Sequence, residues 1–266
     1  MAIPFAQMSF PEMYEHSLVG PLFRPWAEQM VGDMELAAGE RVLDIACGTG
    51  IVARLAEQRV GDRGRVTGVD ASPGMLAVAR RIAPAVDWRE GDAAALPLGN
   101  EEAFDVVFCQ QGLQFFPDRP AAVREMHRAL VPEGRLAVST WRPDEEIPLF
   151  IALRRVAERT VGPIQDRRHG FGDGALLGAL LRDAGFEDVR CRTVTRRIRF
   201  DDGTAFLRLN ATALVGMSAA SKTLGEEQRE RIVEEIARGS EGALGPYREG
   251  EALTFELGAN MASARR

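Results

Sequence analysis

Between residues 41 and 141, short apolar runs alternate with stretches in which apolar residues recur every three or four positions. The predicted strands are RVLDIA, RVTGVD, VDWREGD, FDVVFCQ and LVPEGRLAVSTW, and the first helices are IVARLAEQRV and GMLAVARRIA. Ser72 and Asp118 are predicted to cap the helices that follow them. FDVVFCQ is apolar almost throughout, which is typical of a strand buried on both faces. Strands that alternate with helices in this way indicate βαβ units and a parallel sheet.

The sequence after residue 142 is less regular. PDEEIPLFIALRRVAERTVG is amphipathic, and residues 202–246 are predicted to be mostly helical. VRCRTVTRRIRF is predicted to be an edge strand with one solvated side, and EALTFELGANMASAR a closing strand. Because no repeat, linker or low-complexity tract interrupts the chain, we predict one α/β domain with a helical insertion.

Composition and charge narrow the class of protein. The 266 residues are 45% hydrophobic, which suffices for a buried core, and the net charge of −6 disfavours a nucleic-acid partner. No apolar run approaches the ~20 residues of a membrane-spanning helix. The N-terminus lacks a basic start followed by an apolar stretch, so we expect a cytoplasmic protein.

Two residue types exclude further chemistry. Lys222 is the only lysine, and it lies outside any G-K-[ST] motif, which disfavours both Schiff-base enzymes and P-loop proteins. Cys47, Cys109 and Cys191 are far apart and show no ligand spacing. We therefore expect neither a metal site nor a disulfide framework.

The segment VLDIACGTGIVARL predicts a strand, a glycine turn and a helix, which is a common anion-binding arrangement. Gly48, Gly50 and Ala53 fit the dinucleotide fingerprint, and Asp70 ends the next strand, where a carboxylate binds ribose hydroxyls. Asp44 favours S-adenosylmethionine (SAM) over a nicotinamide dinucleotide. A pyrophosphate charge ~6 Å from this carboxylate would be repelled by about 3 kcal/mol at an effective dielectric constant of ~20, whereas SAM carries an ammonium and a sulfonium. The alternative is that Asp44 only caps the turn.

VLDIACGTG, GVDASPGML, REGDAAALP, FDVVFCQQGLQFFPD and LVPEGRLAVSTW resemble the ordered motifs of class I SAM-dependent methyltransferases, especially the ubiquinone/menaquinone-biosynthesis-like (methyltransferase type 11) group. The resemblance covers residues 10–141 and continues beyond them in pattern only. It implies a Rossmann-like sheet of seven mostly parallel strands, with helices on both faces and an antiparallel last strand. It also implies N-terminal lid helices (1–38), a cofactor-binding core (39–142) and acceptor-side lid elements (143–172 and 202–246).

The same resemblance implies that SAM is the cofactor and S-adenosylhomocysteine the product. Asp44, Ala46 and Gly48 would bind the methionine half, with Ala46 standing where the family has its first glycine. The other residues implied to contact the cofactor are Asp70 at the ribose, Ala71 and Met75 beside the adenine, Asp92 and Ala93 at the adenine edge, Gln110 at the methionine moiety and Tyr14 as a cover. Met75 and Tyr14 have packing as an alternative role, and Asp92 and Gln110 have an ordinary turn or strand-end role.

Methyl transfer from a sulfonium is an in-line displacement, so alignment of the two reactants supplies much of the acceleration. A general base contributes when the acceptor must lose a proton. His16 and His169 are the candidate catalytic residues, with Tyr14 as a further candidate base, and a solvated or hydrogen-bonded histidine is the alternative reading. His127 is expected to be structural.

The acceptor is predicted to be a small hydrophobic molecule. No [DN]-P-P-[YF] motif of nucleic-acid amino methyltransferases follows the fourth strand, and no carboxylate follows it before Asp118, which disfavours a metal-dependent catechol site. Candidate apolar walls are Phe10, Phe23, Trp26, Phe115, Phe116, Trp141 and Phe171, and candidate anion contacts are Arg142, Arg167 and Arg168. The predicted function is methyl transfer to oxygen, carbon or nitrogen. An NAD(P)-dependent oxidoreductase and a non-catalytic SAM- or nucleoside-binding protein are the alternatives, and the oligomeric state stays open.

Overall fold

The structure is a computed structural model that describes residues 8–99 and 102–266. The first seven residues of the predicted N-terminal lid therefore lie outside the described residues. No helix in the described ranges is long and apolar enough to cross a membrane.

One sheet organises the described chain. Its strands are β1 (Arg41–Ile45), β2 (Arg65–Asp70), β3 (Asp87–Glu90), β4 (Phe104–Gln110), β5 (Leu130–Trp141), β6 (Glu187–Phe200), β7 (Arg248–Glu249) and β8 (Ala252–Arg265). The order is β3-β2-β1-β4-β5-β8-β6, with the two-residue β7 paired to β8. The pairs among β1 to β5 are parallel, and β8 runs antiparallel to β5. The prediction of seven mostly parallel strands with an antiparallel last strand is confirmed, and β7 adds an eighth.

Helices connect most of these strands. In the described residues they are α1 (Phe10–Met13), α2 (Arg24–Asp33), α3 (Ile51–Val60), α4 (Pro73–Ile82), α5 (Arg119–Ala129), α6 (Pro148–Val161), α7 (Gly174–Asp183), α8 (Gly203–Met217) and α9 (Glu226–Ser240). Ser72 Oγ accepts a hydrogen bond from Met75 N at the start of α4, and Asp118 Oδ1 accepts one from Ala121 N at the start of α5. Both predicted N-caps are confirmed.

The two faces of the sheet pack against different helices. Leu43 and Ile45 of β1 belong to a buried cluster with residues of α5 and α7. Because successive side chains of a strand alternate, Asp44 points to the opposite face, where its Oδ2 accepts a hydrogen bond from Ala53 N of α3. Trp141 of β5 and Trp26 of α2 also pack together, with ring centroids 5.5 Å apart.

The N-terminal helical segment is irregular. Between α1 and α2, Tyr14–Phe23 forms a π-helix, and Arg24 N donates to Val19 O. Pro21 lies inside this segment and has no N–H to donate, so it interrupts the α-helical hydrogen bonding. The sequence predicts a helix here but not its π-helical geometry.

The described residues divide into two compact units. The first contains the chain up to Trp141 together with Phe171–Val194 and Ala259–Arg266, and the second contains Arg142–Gly170 and Thr195–Gly258. The second unit has its own apolar cluster, built from α6, α8 and α9. The predicted acceptor-side segments fall almost entirely in this unit, and their role on the acceptor side stays a prediction.

Candidate cofactor and active site

The turn after β1 is shaped by residues with left-handed backbones. Ala46, Gly48 and Gly50 have φ angles of 55°, 56° and 87°. A Cβ atom at Gly50 would lie 2.2 Å from the Trp88 ring of β3, and one at Gly68 would lie 2.3 Å from the same ring. Gly50 is therefore required both by its backbone angle and by the space that the indole occupies.

Asp70 joins the glycine turn to the start of α4. Its Oδ2 accepts a hydrogen bond from Gly48 N and its Oδ1 accepts one from Ser72 N, each across 2.8 Å. Burial raises the pKa of Asp70, and the two backbone amides oppose this rise. The structure thus brings together Asp70 and Gly48, as the sequence predicts for a cofactor site.

Asp44 is buried beside the same turn. Its Oδ2 accepts a hydrogen bond from Ala53 N across 3.0 Å. Burial raises the pKa of Asp44 to about 8, the charge of Asp70 adds to the rise, and the Ala53 amide opposes it. Without a ligand the carboxyl group is therefore mostly neutral at pH 7.

This protonation changes the argument made from the sequence. An ionised Asp44 would repel a pyrophosphate, but a neutral one would not. The hydrogen bond to Ala53 also fits the simpler role of capping α3. What remains in favour of SAM is that a cation beside Asp44 stabilises its ionised form.

Tyr14 of the π-helix lies against the glycine turn. Its Oη is 4.0 Å from the position of a Cβ at Gly48, and its ring packs on Phe23 with centroids 4.9 Å apart. The next residue, Glu15, forms an ion pair with Arg54 of α3 across 2.9 Å. Burial and the nearby Asp70 raise the pKa of Tyr14, so its phenol stays protonated and is poorly suited to act as a base.

The residues predicted at the adenine follow β2 and β3. Asp70 and Glu90 are in register, so the segments after them start side by side. Ala71 is exposed and Met75 is half-buried. The exposed Asp92 accepts a hydrogen bond from Ala94 N at its Oδ1, which is the turn role weighed from the sequence. Ala93, by contrast, is buried in the core beneath α5 and α7.

Gln110 ends β4 in register with Ser139 of β5. Its Nε2 donates to Phe23 O across 3.1 Å. Its Oε1 is buried and has no hydrogen-bond partner among residues 8–99 and 102–266. This oxygen is suited to accept a hydrogen bond from an amino group of a bound ligand.

Sequence reasoning missed the two glutamines that follow. Gln111 has a left-handed backbone with φ of 54°, and its Oε1 accepts a hydrogen bond from Gln114 Nε2. Both side chains are buried. The signal in the sequence is FCQQGLQFF, where amide side chains interrupt an apolar run.

The two candidate catalytic histidines lie in different surroundings. His16 is exposed on the π-helix of the first unit. His169 is buried in the second unit, with Nδ1 2.8 Å from Arg142 O. Because a backbone carbonyl only accepts hydrogen bonds, Nδ1 carries the proton and Nε2 keeps its lone pair. Burial lowers the pKa of His169. His127 packs on Phe186, as expected for a structural residue.

The predicted walls and anion contacts are only partly accessible. Trp26 is fully buried, whereas Phe10 and Phe115 are the exposed members of the set. Arg168 donates to Asp166 and to Asn210, so its guanidinium is already engaged within the second unit.

Known proteins similar to this chain are methyltransferases. A family model described as a methyltransferase domain matches residues 42–134. The 2-phytyl-1,4-naphtoquinone methyltransferase of Thermosynechococcus vestitus is 34% identical over 186 residues, which are 64% of this chain and 82% of that protein. The demethylmenaquinone methyltransferase of Staphylococcus epidermidis is 31% identical over 189 residues, covering 64% and 77%. The crystal structure of YcgJ from Bacillus subtilis shares the fold, with a TM-score of 0.58 and 22% identity over 90% of this chain and 97% of that chain.

Proposed function

Because the chain belongs to the class I SAM-dependent methyltransferases of the ubiquinone and menaquinone type, we propose that it methylates a hydroxylated aromatic ring. The methyltransferase function and a small hydrophobic acceptor follow from the family. The finer choice of ring is supported by the relatives' names, which refer to a naphthoquinone and to demethylmenaquinone. Carbon and oxygen of such a ring are the favoured methyl acceptors.

We propose SAM as the cofactor and S-adenosylhomocysteine as the product. The observation that carries this proposal is the Asp70 carboxylate, which ends β2 and is tied to the glycine turn through Gly48 N. Each carboxylate oxygen accepts one backbone amide and keeps a lone pair for a ribose hydroxyl. Gln110 Oε1 offers a buried acceptor to the amino group of the methionine moiety. These groups fit the ribose and the amino acid half of SAM.

When bound, SAM supplies an electrophilic methyl group on a sulfonium. Asp44 stabilises positive charge beside the turn once it is ionised. Tyr14 covers Gly48 from the π-helix and keeps water from that side of the turn. We propose Ala71, Met75, Asp92 and Ala93 as the surroundings of the adenine.

We propose His169 as the base that removes the acceptor's proton, where a proton must leave. Its lowered pKa and its Nδ1 contact with Arg142 O leave Nε2 unprotonated at pH 7. His16, which is exposed, is the second candidate. We propose further that residues 1–38, 143–172 and 202–246 form the acceptor side of the site. A cytoplasmic location and the absence of a nucleic-acid partner stay predictions.

The comparisons do not favour a nicotinamide oxidoreductase. Calorimetric titration with SAM, S-adenosylhomocysteine and NADH tests the cofactor directly. We expect both adenosyl ligands to bind the native chain, no heat from NADH, and loss of binding in Asp70→Ala. Asp62→Ala is the matched control, because Asp62 is an exposed carboxylate in the loop before β2. NADH binding without SAM binding would contradict the proposal.

A further inference from the structure

Two buried glutamines beyond β4 bond to each other and leave one polar atom each without a partner. Gln114 Nε2 donates to Gln111 Oε1 across 3.4 Å, and both side chains are more than nine-tenths buried. Gln111 Nε2 and Gln114 Oε1 have no hydrogen-bond partner within the residues that the structure describes. Leaving buried polar atoms unpaired is costly, so such atoms mark places that a ligand or water completes.

This amide pair lies where open α/β sheets bind ligands. The chain leaves β1 towards β2 and β3 and returns to β4 on the other side of β1, which makes the β1–β4 boundary the topological switch point. Gly112 approaches the turn after β1 so closely that a Cβ there would lie 2.5 Å from Ala46 Cβ. Gln111 N donates to Ser139 O on β5. The pair therefore follows β4 at the carboxyl ends of three strands.

The backbone beside this boundary adopts a costly conformation on both strands. Ala46 follows β1 with a φ of 55°, and Gln111 follows β4 with a φ of 54°. Residues other than glycine adopt this region at a cost, and such residues persist mainly where function requires them.

Arg119 holds the turn that carries Gln114. Its Nε donates to Leu113 O across 3.0 Å, and one terminal nitrogen donates to Gln114 O across 2.9 Å. Its guanidinium carbon lies 4.7 Å from the ring centroid of Phe171. The backbone beneath the amide pair is thus fixed before any ligand arrives.

We propose that the Gln111–Gln114 pair binds a hydroxyl group of the acceptor ring, an inference that rests on the proposed methyltransferase function. Exchanging amide nitrogen and oxygen in both residues preserves the bond between them and again leaves one donor and one acceptor. The argument therefore does not depend on how the amides are assigned. Each unpaired atom shares its carboxamide carbon with a bonded atom, so one small group can contact both.

A neutral hydroxyl group is the smallest partner that satisfies the pair. It donates one hydrogen bond to the amide oxygen and accepts one from the amide N–H. An ether oxygen only accepts, and a ring hydrogen does neither, so both leave a buried amide atom unpaired. The pair therefore selects rings that carry a free hydroxyl over the corresponding ether or unsubstituted ring.

Equilibrium dialysis of the full chain, saturated with S-adenosylhomocysteine, tests this selection. The probes are 1-naphthol, 1-methoxynaphthalene and naphthalene, the last of which is smaller than naphthol and rules out a purely steric effect. We expect 1-naphthol to bind roughly 10- to 100-fold more tightly than either reference compound. In Gln111→Met and Gln114→Met, the preference should fall below about threefold while S-adenosylhomocysteine affinity stays unchanged. Gln29→Met, at an exposed glutamine of α2, should keep the full preference.

The outcomes separate this inference from the proposed function. If 1-naphthol binds no more tightly than naphthalene, or if its preference survives in both methionine variants, the hydroxyl site is refuted although the methyltransferase assignment stands. If S-adenosylhomocysteine does not bind the native chain, the proposed function fails and the inference fails with it. The comparison of probes on the native chain needs no variant, so a variant that does not fold leaves the test decisive.

Discussion

Replacing Asp44 by asparagine is expected to remove most of the pH dependence of SAM binding between pH 6 and 7. The groups around Asp44 are Asp70, the Tyr14 phenol and the thiols of Cys47 and Cys109, so no cation compensates its burial. With a pKa of about 8, the carboxyl group is mostly protonated in the ligand-free protein. A cationic ligand prefers the ionised form, so binding should release a proton.

The expected magnitude follows from the ionised fraction. With a pKa of about 8, roughly 1% of Asp44 is ionised at pH 6 and roughly 10% at pH 7, and apparent affinity scales with the competent fraction. SAM affinity of the native chain should therefore rise about tenfold over this unit of pH. In Asp44→Asn, whose amide oxygen still accepts from Ala53 N, the rise should be less than about twofold.

Calorimetry in two buffers of different ionisation enthalpy measures both quantities. The native chain should release about one proton per SAM bound at pH 7, and the asparagine variant should release almost none. Equal pH dependence in the two proteins would refute the reasoning, because the titrating group would then lie elsewhere. A flat affinity in the native chain would show that Asp44 is already ionised without ligand.

Three further outcomes are expected. Gly50→Ala should lower the free energy of unfolding by roughly 1–3 kcal/mol in urea denaturation, because its Cβ meets the indole of β3, whereas Gly216→Ala, with open space around it, should not destabilise; equal stability of the two variants would contradict this. The lowered pKa of His169 means that its protonation opposes folding, so native stability should fall as the pH drops below 6.5 and His169→Gln should reduce that fall; an unchanged pH profile would show that another group causes it. Glu15→Gln breaks the ion pair with Arg54 and should speed S-adenosylhomocysteine dissociation about two- to fivefold in stopped-flow measurements, and an unchanged rate would separate the π-helix from ligand release.

The sequence was sufficient to predict features that depend on local chemistry. The strands from β1 to β5 follow from short apolar runs bounded by glycine, proline and capping residues. The placement of Asp70 beside Gly48 also follows, because parallel strands end at the same edge of a sheet. These features need only the order of the elements and the period of their side chains.

The remaining features depend on tertiary surroundings. The protonation of Asp44 is set by how deeply β1 is buried, and a sequence does not give that depth. The left-handed backbone of Gln111 and its bond to Gln114 arise from the approach of β4 to the glycine turn. His16 and His169 look alike in sequence, and burial separates them.

The contact of Trp88 with two glycines restricts how this protein can change over evolutionary time. The indole fills the space in which a side chain at Gly50 or Gly68 would stand. A substitution at either glycine is therefore tolerated only after the indole has become smaller, and that intermediate would carry a cavity beneath the turn. The three positions should accordingly drift as one group, and a redesign of the cofactor turn must alter them together.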